Sequence, residues 1–198
     1  PPGSSLHYDS LLSTEPERKV RLEGTAFFEI TPRPQFPFRI ALGDETTVEV
    51  VGTSFLVKEN KEKETATVIV ESGQVSLMAH QAHRGQMLYK GEKAVFDRKS
   101  GKIILSHHAN PNEYAWKEGG LSFINTPLEE VCADIEQFYK VKIQLRNSEV
   151  RHCRYTAPRV LHQPLEKLLA SLALVFHLEI RREKAGEIIL EGGQCREN

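Results

Sequence analysis

The side chains that could do chemistry in this 198-residue chain are eight histidines, three cysteines and 27 carboxylates. His80 and His83 have a spacing that metal ligands use. They sit in the polar turn AHQAHRG with no third ligand of suitable type nearby, and a zinc site needs three or four. His107-His108 ends a strand pattern and His152 precedes Cys153; these too read as solvated histidines rather than ligands. Glu15, Glu17, Glu59, Glu62 and Glu64 alternate with lysines or polar residues, a pattern expected of solvated surface. No two carboxylates stand out as the acid and base of glycoside chemistry. GxSxG, HExxH, Walker A and dinucleotide motifs are all missing. Missing motifs do not exclude an enzyme but lower the odds, and the expectation is no enzyme, with no catalytic residue, metal site or cofactor.

Cys132, Cys153 and Cys195 form an odd set without CxxC spacing, which is neither a zinc motif nor a disulfide framework. A bridge between Cys153 and Cys195 would need an oxidising compartment, and spacing alone leaves it open. Cys132 is better placed by a repeat that governs the last third of the chain. Asn125 to Ile143 (NTPLEEVCADIEQFYKVKI) aligns without a gap on His162 to Ile180 (HQPLEKLLASLALVFHLEI), at an offset of 37 residues. Pro127 falls on Pro164, Leu128 on Leu165, Glu129 on Glu166, Ala133 on Ala170 and Ile143 on Ile180. Such an echo marks a supersecondary unit used twice. Cys132 falls on Leu169, which makes it a buried, inert core cysteine.

Each copy reads as strand, helix, strand. In the first, Leu121 to Ile124 is a short strand, and Thr126, Pro127 and Glu129 form a capping box at the helix start. Leu128, Val131, Cys132, Ile135 and Tyr139 then share one helix face, and Val141 to Leu145 leave as a strand. The second copy has a strand near Tyr155 to Val160, a helix with Leu165, Leu168, Leu169, Leu172 and Phe176 on its core face, and a strand from Leu178 to Arg181. A last strand covers Glu187 to Leu190. Two βαβ-like units side by side predict one small sheet with both helices on one face. Leu174 breaks the pattern. At 100° per residue it lies opposite the Leu165 stripe, where the first copy has Gln137. Burial elsewhere or scattered surface hydrophobicity would explain it; so would contact with a partner.

Before the repeat, Lys19 to His107 is strand after strand, with period-two alternation broken by turn residues. RKVRLEGTAFFEI, FPFRIAL, TTVEVVGTSFLVKE, TATVIVESGQVSLMA, QMLYKGEKAVFD and GKIILSHH are the segments. They suggest a sandwich, a barrel or a β-solenoid. The fold class is α+β: an all-β domain (1–108, solenoid- or sandwich-like), a linker (109–119) carrying Tyr114 and Trp116 as apolar anchors, and a domain of two βαβ-like repeats (120–198). Formal net charge is −1 and evenly spread, without a basic stripe, which disfavours nucleic acid. No apolar run approaches the ~18–20 residues of a membrane span. The Pro-Pro start suggests an excised fragment.

These segments, in this order, resemble a known family. RKVRLEGTAFFEI, PFRI, VEVVGTSFLV, VESGQVSL and GEKAVF are similar to the periplasmic part of FecR-like transmembrane sigma-factor regulators. AWKEGGLSFINTPLEEVCADIEQFYKVKI resembles the domain that follows it in Bacteroides-type members, which is similar to the short N-terminal domain of secretins and TonB-dependent transporters. Gly24, Phe27, Phe28, Gly52, Thr53 and Phe55 match signature positions, and turn glycines with inward aromatics explain them without a ligand. Pro2-Gly3-Ser4-Ser5 looks like the end of a further Gly-Ser stretch. The resemblance implies the periplasmic region of a single-pass inner-membrane anti-sigma factor. It would receive a signal from the periplasmic signalling domain of an outer-membrane TonB-dependent transporter. A sigma factor would be held through a cytoplasmic part, and the membrane touched only through a span, both outside this chain. Docking is expected on the repeat, through Leu174 and the strand residues Val141, Ile143 and Leu145. Two rival readings remain: a polysaccharide-acting β-solenoid enzyme, and a structural module of an envelope assembly.

Overall fold

The computed structural model describes residues 3–8, 18–43, 46–79, 84–161, 163–183 and 186–195. The chain divides into two compact units, residues 1–110 and 111–198.

The first unit holds eleven strands among the described residues: β1 (Ser5–Tyr8), β2 (Arg18–Glu23), β3 (Thr25–Glu29), β4 (Phe38–Leu42), β5 (Thr46–Val50), β6 (Ser54–Asn60), β7 (Thr65–Ser72), β8 (Gln74–Ala79), β9 (Arg84–Tyr89), β10 (Lys93–Asp97) and β11 (Lys102–Ser106). They form a six-stranded sheet, β1-β2-β4-β5-β8-β9, and a five-stranded sheet, β11-β10-β7-β6-β3. One apolar core takes residues from both, so the unit is a sandwich. Every pairing is antiparallel except β2 with β4. That decides against the solenoid, whose stacked rungs need parallel neighbours.

Two stretches that read as continuous strands change sheets midway. RKVRLEGTAFFEI breaks at Gly24 into β2 and β3, and TATVIVESGQVSLMA breaks at Gly73 into β7 and β8. Both glycines have positive φ, +87° and +80°, which only glycine adopts without strain. A Cβ would lie 2.8 Å from Ser4 Oγ at Gly24 and 2.8 Å from the Gly52 carbonyl at Gly73. Phe28 stacks on Phe55 with ring centroids 5.4 Å apart and meets Phe38 at 6.1 Å, inside the core. Phe27 is not inward. Successive strand residues face opposite ways, so it lies half-buried on the other face of β3.

Glu59 also departs from expectation. It is buried, not solvated, because β6 puts it on the same face as Phe55 and Val57. Arg98 meets it at 2.9 Å and donates a second bond, 3.1 Å, to the Leu42 carbonyl of the opposite sheet. Glu62 and Glu64 are exposed as expected, while Glu15, Glu17, His80 and His83 lie outside the described residues.

The second unit opens with a 3₁₀ turn (Pro111–Tyr114) and a short helix α1 (Ala115–Glu118), so part of the stretch expected as linker is built into it. Then come β12 (Gly120–Pro127), α2 (Leu128–Tyr139), β13 (Lys142–Leu145), β14 (Arg154–Leu161), α3 (Leu165–Phe176), β15 (Leu178–Arg182) and β16 (Glu187–Gly192). The helices coincide at the 37-residue offset. Pro127 and Pro164 precede them with φ −58° and −60°, and Lys140 and His177 end them at φ 59° and 54°. Leu128, Val131, Cys132 and Ile135, and then Leu168, Leu169, Leu172 and Phe176, bury in one core.

The capping box does not form. Thr126 Oγ1 instead accepts the Ile124 N–H at 3.2 Å. The first helical N–H groups, those of Leu128 and Glu129, donate to the Cys153 and Arg151 carbonyls at 2.9 and 3.1 Å. A neighbouring loop thus satisfies the orphan donors that a side-chain cap would have taken. Nor is there one sheet. β12 pairs antiparallel with β14, while the outgoing strands flank β16 in a separate sheet, β13-β16-β15. β13 runs parallel to β16 and β15 antiparallel to it. The final strand inserts between the two copies and keeps their outgoing strands apart.

Candidate docking edge

A pairing parity fixes what β13 presents. Alternate residues of a strand aim their backbone groups at opposite edges. Arg146 N–H donates to the Leu190 carbonyl of β16 at 3.0 Å. Lys142 and Gln144, of the same parity, therefore turn toward β16. Val141, Ile143 and Leu145 turn their backbone to the other edge, which carries no strand among the described residues. Their side chains are half-buried against the second core. The three residues expected to dock thus turn their backbone groups to one strand-free edge and keep their side chains anchored in the core.

Beside that edge lies a groove of about 580 Å³ between α2 and β13. Cys132, Ala133, Ile143 and Leu145 form its apolar part, and Glu129, Glu136, Arg146 and Arg151 its charged rim. Glu136 reaches across from α2, and its Oε1 accepts the Ile143 N–H at 2.7 Å. Cys132 is buried as the repeat predicted, and burial, then the Glu136 charge, pushes its thiol up to about 12. At neutral pH it is a protonated, unreactive side chain. Neither Glu136 nor the groove was foreseen from sequence. The signal was available: at the positions of Cys132 and Glu136 the second copy has Leu169 and Ala173, so the first copy is smaller and more polar beside its outgoing strand.

Leu174 stands apart. It is 76% exposed on α3, and α3 packs on β15, whereas the groove belongs to α2 and β13. The structure brings Val141, Ile143 and Leu145 together and leaves Leu174 elsewhere on the unit.

Two polar features hold the site's frame. Asn112 donates to Ser122 O and accepts from Ser122 N–H, at 2.9 and 2.8 Å, as a paired strand would, and also donates to the buried Asp134 of α2 at 2.7 Å. Cys153 is bonded to Cys195, which ties the segment capping α2 to the end of the described chain. The histidines serve as surface partners. His107 lies 2.7 Å from Glu92, whose carboxyl is held below its usual range first by the Tyr89 N–H and then by His107. His152 lies 3.8 Å from Glu129. Among the described residues no group of His, Cys, Asp or Glu could hold a metal, and no helix is long and apolar enough to cross a membrane.

The chain is thus a β-sandwich followed by a repeat unit in which β13 has an open edge beside a groove. The family model described as FecR protein matches residues 2–76, and that described as FecR, C-terminal matches residues 120–190. The chain belongs to the FecR family, as a FecR-like region of the anti-sigma factor kind. A crystal structure at 1.65 Å of a candidate anti-sigma factor from Parabacteroides distasonis is similar to it over 97% of this chain and 88% of that one, at 26% identity and a TM-score of 0.60. A second crystal structure from that organism, at 2.50 Å and of the same description, gives 26% identity, 97% and 87% coverage and a TM-score of 0.59. No curated protein matches the chain.

Proposed function

We propose that this chain is the periplasmic signal-receiving region of a single-pass inner-membrane anti-sigma factor. It docks the periplasmic signalling domain of an outer-membrane TonB-dependent transporter, and its message reaches a sigma factor bound to a cytoplasmic part of the same protein. The open edge of β13 carries this reading: backbone groups of Val141, Ile143 and Leu145 face outward above a groove, and a partner strand can extend the sheet there. The Cys153–Cys195 bridge supports an oxidising compartment. The Leu174 side chain offers a second, separate apolar contact.

The test is a calorimetric titration with recombinant periplasmic signalling domains of TonB-dependent transporters from the source organism. Ile143→Pro removes the outward N–H but no bond to β16, a position where an edge strand tolerates proline. Affinity should fall at least tenfold, whereas Ile143→Ala, which loses the same core packing but keeps the outward N–H, should lose far less. Unchanged affinity would rule out the β13 edge. Leu174→Asp should weaken binding several-fold; if it does not, Leu174 is outside the docking surface.

A further inference from the structure

The groove of the first copy is closed by its own side chain. Glu136 Oε1 sits on the Ile143 N–H, the place where the carbonyl of an added strand would sit. Exposed edges invite unwanted pairing, and native proteins blunt them, often with charge. The second copy has Ala173 at the position of Glu136. We propose that Glu136 is a displaceable latch on the docking edge. The occupant that lifts it is an extended strand of a partner protein, with an apolar side chain over Cys132 and Ala133 and an acidic side chain at the Arg151 end. The proposal rests on the reading of β13 as the docking edge.

Three observations select this occupant. The open edge offers backbone donors and acceptors at two-residue spacing, which an extended strand matches. The groove floor is small and apolar, with Cys132 at the position where the second copy has Leu169, which leaves room for one inserted side chain. The rim arginines differ: Arg146 is tied to Glu191 at 2.9 Å, whereas Arg151 is exposed and has no carboxylate partner among the described residues.

The experiment uses the ¹⁵N-labelled chain. Exchange of the Ile143 amide with solvent should be at least tenfold faster in Glu136→Ala than in the wild type, with Glu136→Gln, which keeps an acceptor, in between. Equal rates would overturn the latch. The probe for docking is an acetylated and amidated peptide of alternating Val and Thr with one central Asp. It should shift the Ile143 and Leu145 amides, bind Glu136→Ala at least threefold tighter, and bind Arg151→Glu at least threefold more weakly. A freed amide with unchanged peptide affinity overturns the latch and leaves the docking edge standing. Shifts confined away from Ile143 and Leu145, in wild type and variant alike, overturn the edge reading itself. Self-association of Glu136→Ala by light scattering would make the occupant a second copy of this chain instead.

Discussion

The two copies of the repeat share their helix limits and most of their core face, and differ at a few positions, both buried and exposed. Both helices start after a proline in the same backbone conformation and end on a left-handed residue, Lys140 or His177. Both outgoing strands turn an isoleucine's backbone to an open edge. Ile143 does so in β13; Ile180 does so in β15, since Glu183 N–H pairs with Glu187 O of β16 and sets the parity. Two departures lie beside the outgoing strands, and a third, Leu174 for Gln137, lies on the outer face. Cys132 and Glu136 give the first copy a groove with a latch. Leu169 and Ala173 give the second a filled floor without one, and there Arg182 of β15 instead reaches Glu166 of α3. The core face specifies the fold, and the rest of the helix surface is free to diverge. A duplicated unit can therefore change the surroundings of one edge without disturbing the other copy.

Single changes can break or sharpen this comparison. The largest effect should come from the cross-link, which joins the loop before the second copy to the segment after it. Cys195→Ser opens a loop spanning 42 residues and should lower the stability of the repeat unit by about 4 kcal/mol on the chain-entropy account. Chemical denaturation followed by the fluorescence of Trp116, the only tryptophan, reads this unit directly. Next come the equivalent core positions. Ile135→Ala and Leu172→Ala, both at 0% exposure, should each cost about 3 kcal/mol. A difference above ~1.5 kcal/mol, beyond what ordinary variation in site relaxation explains, would show that the copies are not packed alike.

Polar supports should rank below these. Asn112→Ala removes the clamp on Ser122 and a donor to the buried Asp134, for about 2 kcal/mol. Ser171→Ala, at the position equivalent to Asp134, loses only the 3.0 Å contact with the Tyr155 hydroxyl, for about 1 kcal/mol. Equal losses would mean that Asp134 is not specially supported. The smallest effects should fall on the divergent surface. Leu174→Asp should change stability by less than about 0.5 kcal/mol. Cys132→Leu, which copies the second helix, should stay within about 1.5 kcal/mol, because the groove beside Cys132 has room for the larger side chain. A larger loss in chemical denaturation would show that the floor is not free space.

Local signals were legible wherever short-range physics decides. Helix limits, the buried face of each helix, Cys132 in the core and the exposure of Leu174 follow from 3.6-residue periodicity and the alignment of two copies. The period-two rule also held the burial of Glu59, which shares a face with Phe55 and Val57, although its charge suggested solvent. The capping box failed for the opposite reason. Thr126 and Glu129 have the right spacing, but carbonyls from Arg151 and Cys153, more than twenty residues away, take the same N–H groups.

By itself the sequence determined an α+β chain with a β-rich first part, two equivalent strand–helix–strand units and membership of the FecR family. Periodicity, turn glycines and repetition are properties of neighbouring residues, and they survive without any knowledge of packing. Only the tertiary structure decided where strands meet. β2 and β3 part company at Gly24, β16 inserts between the outgoing strands of the repeat, and Cys153 finds Cys195. The open edge of β13 exists because of that insertion. With β16 as the neighbour of β13, pairing parity turns Val141, Ile143 and Leu145 outward and brings the Ile143 N–H under Glu136. Long-range pairing is set by which surfaces bury together, and no local pattern encodes it.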